Sequence, residues 1–261
     1  MLHSAIIKIG TLLAAKCQRY RQPILMKLLA FLLFSFTAAS PAELIVAAAS
    51  DLAPLQTPLA AAFHAKTGQT LRFTIAASGE LARQIRNGAP YDVFLSANEQ
   101  YVKDLSAAGF LDRKTVTVYA HGRLALWSKS GDYKTVRDLL RPQALHVAIA
   151  NPKFAPYGVA AQQALQSQRL WMQLEPKIVY GENIREALQY AESGNADAAL
   201  VAWSLVHNRG GILLPAAWHA PINQAGGAVA HSSQPVLART FLKFLTGPEG
   251  SKILAAHGLE P

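Results

Sequence analysis

A single cysteine, Cys17, occurs among the 261 residues. That excludes an intramolecular disulfide framework and any cysteine-built zinc or iron–sulfur site. Charge is also sparse: Asp, Glu, Lys and Arg make up 16% of the chain against 51% apolar residues. A disordered or highly charged solvating chain is thereby excluded. The Gly-x-Gly-x-x-Gly, Gly-x-Ser-x-Gly and Walker patterns are absent, and with them the sequence marks of dinucleotide, α/β-hydrolase and P-loop chemistry. The eight histidines are dispersed, and none pairs with another at metal-ligand spacing; a histidine site assembled only in three dimensions stays open. Acidic residues are missing altogether from the first 42 positions, which hold Lys8, Lys16, Arg19, Arg21 and Lys27. The formal charge of +9 therefore misleads. Beyond that stretch, 20 basic side chains face 16 acidic ones, scattered rather than blocked, and no nucleic-acid partner is expected.

What is present begins with an address. Leu28–Ala39 is a nearly unbroken apolar run, too short to span a bilayer comfortably. Lys27 precedes it and Ser40-Pro41-Ala42 follows, the charged, apolar and small-residue order of a secretory signal. Residues 1–42 are read as signal peptide or leader, with Met26 as an alternative start. The mature chain would begin near Glu43, lack cysteine and reside in the periplasm. A membrane anchor is the competing reading of the same run.

From there the chain alternates short apolar runs with amphipathic stretches. Strands are expected at Leu44–Ala49, Thr70–Ala76, Asp92–Ala97, His146–Ala150, Lys177–Tyr180 and Ala198–Trp203. Helices are expected at Leu52–Thr67, Glu80–Asn87, Glu99–Ala108, Val159–Leu170, Ile184–Ser193 and Pro235–Leu245. This repeated strand-then-helix order predicts an α/β fold with mostly parallel sheets. The length fits two lobes. Since no linker-like segment separates them, the chain is expected to cross between lobes more than once, near Tyr119–Arg123 and Ile222–Gly227. Residues 43–121 plus 228–261 would form lobe 1, and 122–227 lobe 2.

Four strand-to-helix turns carry small or hydroxyl residues: Ala49-Ser50-Asp51, Ala77-Ser78-Gly79, Asn151 to Gly158, and Gly181-Glu182-Asn183-Ile184. A helix N-terminus presents unpaired backbone N–H groups and a partial positive charge, so several converging on a cleft make an anion site. In open α/β sheets, ligands sit beyond the carboxyl ends of the strands, where these turns lie. Ordinary helix capping by Ser50, Ser78 and Asn183 is the plainer explanation of each turn taken alone.

Ala47-Ala48-Ala49-Ser50, Ala76-Ala77-Ser78-Gly79-Glu80-Leu81-Ala82-Arg83-Gln84-Ile85 and Gly88-Ala89-Pro90-Tyr91-Asp92-Val93-Phe94-Leu95-Ser96-Ala97 resemble the molybdate-binding proteins of molybdate ABC transporters. Asn151-Pro152, Ala155-Pro156-Tyr157-Gly158, Gly181-Glu182-Asn183 and Phe241–Pro248 continue the resemblance in order, over residues 43–261. The resemblance implies a two-lobed periplasmic-binding-protein fold of type II, with two crossover strands and the ligand between the lobes. It implies molybdate as ligand, an ABC permease as membrane partner, no catalysis and no cofactor; a monomer is expected. Carried over by position, Ser50 and Ser78 match hydroxyl ligands, Asp51 and Ile184 match backbone donors, and Tyr157 lies in the third contact loop. Many members carry a ligand tyrosine where this chain has Ala202, followed by Trp203. The inference from that gap is that the Tyr157 hydroxyl takes its place.

The chemistry agrees. Molybdate is a dianion near neutral pH and needs donors only, which fixed N–H and O–H dipoles supply without a buried cation. Tungstate has nearly the same shape and charge and is expected to bind. Phosphate keeps a proton near pH 7 and asks for a buried acceptor. Asp51 is the one candidate for that role, so its carboxylate is expected to point away and cap its own helix. Rival readings are a binder of another oxyanion or small organic acid, an effector-sensing regulator, and a secreted enzyme using Ser50 or Ser78 as nucleophile. The last needs a nearby general base, which the sequence does not offer.

Overall fold

The computed structural model describes residues 43–261, so the expected leader over 1–42 lies outside the described residues. Two five-stranded sheets organise the chain. The first holds β1 (Glu43–Ala49), β2 (Thr70–Ala76), β3 (Val93–Ser96), β4 (Thr117–Gly122) and β10 (Ile222–Ala228) in the order β2-β1-β3-β10-β4. The second holds β5 (Leu124–Trp127), β6 (Val147–Ala150), β7 (Ile178–Gly181), β8 (Ala198–Ala202) and β9 (Ile212–Leu213) in the order β7-β6-β8-β5-β9.

Each sheet is parallel only in part. The strands β2-β1-β3 and β7-β6-β8 are parallel, whereas β10 and β5 run antiparallel to their neighbours. The parallel strands are linked by helical connections, as the alternating pattern requires. The antiparallel strands have another origin: β5 enters the second sheet directly from β4, and β10 returns to the first sheet after β9. The outward crossing falls at Gly122–Leu124, at the end of the expected segment Tyr119–Arg123, whose Ala120–Gly122 still pairs with β10 in the first sheet. The expected return at 222–227 lies inside β10, which pairs with β3 and β4 through that whole segment.

Between the strands run α1 (Gln56–Thr67), α2 (Ser78–Arg86), α3 (Glu99–Ala107), α4 (Pro156–Ser167), α5 (Trp171–Leu174), α6 (Ile184–Ser193) and α7 (Trp203–Val206). The C-terminal pair is α8 (Pro235–Leu245) and α9 (Pro248–Ala256). A 3-10 turn, Ser50–Leu55, leads into α1 and accommodates Pro54 ahead of the α-helix. Helix ends follow local chemistry. Gly68 and Gly194 close α1 and α6 in the left-handed conformation at φ 70° and 84°, which glycine adopts without a Cβ clash. Pro248 opens α9, a helix that periodicity did not disclose, because proline at the first helical position forfeits no bond.

The strand period of two sorts the first sheet onto two faces. Val46, Ala48, Val93 and Leu95 pack with Leu59, Phe63 and Phe241 on one side. Ala47 and Phe94 pack with Leu81, Ile85 and Leu105 on the other. Phe63 meets the edges of Phe241 and Phe244 at 5.4 Å, the edge-to-face geometry aromatic rings prefer. The second sheet is buried among the apolar faces of α4 and α6, and Ala49, Ala77 and Ala97 of the first lobe pack into that same cluster. The carboxyl ends of the parallel strands of both sheets therefore meet around one cleft.

Candidate functional site

A small cavity, with about 10 Å³ open to the centre of a water-sized sphere, lies in that cleft, lined by Ala49–Asp51, Ala77–Ser78 and Ala97 from the first lobe and by Ala155–Tyr157 and Ile184 from the second. That is far below the roughly 300–1,000 Å³ of pockets that hold drug-sized organic ligands. All five residues singled out from the sequence, Ser50, Asp51, Ser78, Tyr157 and Ile184, line it, and each is buried. No lysine, arginine or histidine does.

Capping does not account for the serines. The residues that precede the helical turns are Ala49, Ala77 and Ala155, and none supplies a side-chain cap. Ser50 and Ser78 are themselves the first helical residues. Ser78 Oγ accepts the Ala97 N–H at 3.0 Å, which anchors the hydroxyl and leaves its proton free to donate. Asn183 does cap α6: its side chain accepts from the N–H groups of Arg185 and Glu186, and its carbonyl takes that of Ala187. Those bonds leave the N–H of Ile184, at the cavity, outside the cap. In α4, the Ala155 carbonyl takes the N–H of Gly158 and of Val159, and Pro156 has no N–H, so Tyr157 offers the first unengaged one.

The lobes also touch directly. The Gly79 N–H donates to the Phe154 carbonyl at 3.0 Å, and Ser204 Oγ donates to the Asp51 carbonyl at 2.8 Å. Gly158 packs so closely on the end of β6 that an added Cβ would lie 2.1 Å from the Ala150 carbonyl oxygen, which seats the start of α4 against the strand.

Asp51 and Tyr157 differ from expectation in where their side chains go. The Asp51 carboxylate does not cap its own turn. It lies in a buried network: Oδ2 accepts from Gln224 Nε2 and, at 3.2 Å, from the Tyr157 hydroxyl. Gln224 Nε2 also donates to the Tyr157 oxygen at 3.2 Å, and the Tyr119 hydroxyl donates to Gln224 Oε1 at 2.7 Å. The Tyr157 proton is thus engaged with Asp51 in this arrangement. Burial pushes the Asp51 carboxyl up to about 6, against the lowering effect of its bonds from Gln224 and Tyr157. Burial, with the Asp51 charge, holds Tyr157 and Tyr119 well above the ordinary phenol range. Trp203 does not line the cavity; its ring lies 6.1 Å from that of His207.

Gln224, Tyr119 and Gly122 went unnoticed in the sequence. A shift of register between Gln224 and Ala225 interrupts the pairing of β10 with β4 beside Gln224, an irregularity that sets a side chain's direction. At Gly122 a Cβ would lie 2.2 Å from the Tyr157 hydroxyl oxygen, so the network fits only beside a glycine. The available signal was a pair of uncharged polar residues, Asn223 and Gln224, in an otherwise small and apolar strand.

Among the described residues no helix is long and apolar enough to cross a membrane. Residues 44–260 match the family described as bacterial extracellular solute-binding protein. The chain is 35% identical over 226 residues to the molybdate-binding protein ModA of Rhodobacter capsulatus, covering 84% of this chain and 89% of the relative. It is 32% identical over 229 residues to ModA of Azotobacter vinelandii, covering 85% and 91%. The solved periplasmic molybdate-binding protein of Azotobacter vinelandii superimposes with a TM-score of 0.80 at 30% identity, covering 84% of this chain and 99% of that one. Fold, cavity and sequence agree: the chain belongs to the bacterial extracellular solute-binding proteins and, among them, to the ModA family.

Proposed function

We propose that this protein captures molybdate, and tungstate with it, in the cleft between its lobes and hands the anion to an ABC permease outside the cytoplasm. One observation carries the reading: three helical N-termini with alanine caps close on a cation-free cavity. Backbone N–H groups left unpaired at a buried site need acceptors, and an oxyanion supplies them. The hydroxyls of Ser50 and Ser78 and the N–H groups of Asp51, Tyr157 and Ile184 are the proposed donors. Neutral dipoles hold a dianion without the desolvation cost of a buried cation. A nucleophilic role for either serine lacks support, since the one buried carboxylate beside them is bonded to Gln224 and Tyr157.

Thermal unfolding with added anions tests the reading. A ligand that binds only the folded state stabilises it by about 4 kcal/mol at a thousandfold excess over Kd. Molybdate and tungstate should raise Tm clearly, and sulfate and phosphate little. Equal shifts with all four would reduce the effect to salt.

A further inference from the structure

Resting on the anion reading above, we infer that the Asp51 side chain, as a neutral carboxylic acid, is a further anion-binding group, so that a dianion enters the cavity together with one proton. Asp51 lines the cavity and is 1% exposed. Its Oδ2 receives two donors, from Gln224 on β10 and Tyr157 on α4. Its Oδ1 is buried and has no partner, alone among the cavity-lining side chains in that respect. An unpartnered carboxylate oxygen at a site made for a dianion is repelled by the ligand and gains nothing from the protein.

No cationic group among the described residues offsets that charge. Tyr157 from α4 and Tyr119 from β4 face the carboxyl and remain neutral phenols. The other groups bonded to Asp51 or to its network, Gln224 from β10 and Ser204 from α7, are uncharged. Among the described residues, no ion pair includes Asp51. Burial already raises the carboxyl to about 6, and a dianion beside it raises it further. Since Oδ2 is occupied as an acceptor, the proton belongs on Oδ1, converting the unpaired acceptor into a donor. The step forms one O–H bond with a proton from solvent and breaks no bond in protein or ligand.

The test is titration calorimetry of the protein with sodium molybdate in two buffers of different ionisation enthalpy, from about pH 8 down to about pH 5. Near pH 8 the parent should take up close to one proton per anion. Affinity should rise by up to about tenfold per unit as pH falls toward 6, then level off as uptake fades. Asp51→Asn, which places an amide donor where the acid carries its proton, should abolish the uptake, flatten the pH profile and bind more tightly than the parent near pH 8. The parent's own proton count decides the matter even if the variant folds poorly. Zero uptake by the parent near pH 8, or full uptake retained in Asp51→Asn, would overturn the inference. Absence of molybdate binding at every pH would contradict the anion reading itself, and this inference with it.

Discussion

The backbone N–H of Gly79, in the first turn of α2, donates across the cleft to the carbonyl of Phe154 in the loop before α4, at 3.0 Å. The two segments that flank the cavity from opposite lobes are thus joined beside it. A Cβ at position 79 would lie 2.9 Å from that carbonyl oxygen and 2.7 Å from the Tyr101 hydroxyl. Both are closer than ordinary contact, so only glycine lets the lobes approach this far.

Gly79→Ala should therefore hold the lobes apart. Small-angle scattering at saturating molybdate should give a larger radius of gyration for the variant than for the parent. Equal radii would mean that closure does not pass through this contact.

Ser78→Ala removes a hydroxyl whose oxygen is held by the Ala97 N–H and whose proton is free for the anion. Hydrogen bonds to charged groups contribute about 1.5–3 kcal/mol. Molybdate affinity should fall by roughly ten- to a hundredfold in calorimetry. An unchanged Kd would return Ser78 to a structural role.

Tyr157→Phe separates hydroxyl from backbone. The hydroxyl donates to Asp51, whereas the N–H is free at the start of α4. Phenylalanine keeps the N–H, so affinity should fall less than in Ser78→Ala, by under about tenfold. A loss as large as that of Ser78→Ala would show that the hydroxyl turns to the anion on binding, as the missing tyrosine at Ala202 first suggested.

Without added anion, the stability of the protein should carry the mark of Asp51 in its pH profile. Its carboxyl is raised from 3.8 to about 6, so the folded state binds the proton more tightly than the unfolded chain. Stability from this group is present below about pH 4 and is lost as pH rises toward 6 and beyond. Asp51→Asn removes that loss. In urea unfolding the variant should exceed the parent by up to about 3 kcal/mol near pH 8 and by little near pH 4. A difference independent of pH would assign the effect to packing.

Much of this molecule was legible before its structure. The strands Thr70–Ala76 and Ala198–Ala202 and the helices Ile184–Ser193 and Pro235–Leu245 fall within a residue of the periodicity that announced them. The four turns meet at one cavity because parallel strands end on the same edge of a sheet. Other features were hidden for physical reasons. Ser78 looked like a cap, yet α2 begins at Ser78 and leaves Ala77 in the capping place. The strand β10 contains Gly226 and Gly227, which weaken any strand signal; Leu95 and the Phe94 carbonyl approach Gly226 too closely for a side chain. The Gln224–Asp51–Tyr157 contacts join residues 106 and 173 positions apart, a separation at which no local pattern speaks.

The central claim is selective capture of a tetrahedral metal oxyanion by neutral donors. Its most direct test is native mass spectrometry of the protein with equal molybdate, tungstate, sulfate and phosphate, supported by calorimetric Kd values for each. The account predicts one molybdate or tungstate per chain, with sulfate and phosphate bound far more weakly. Failure to retain molybdate, or equal retention of all four anions, would contradict it.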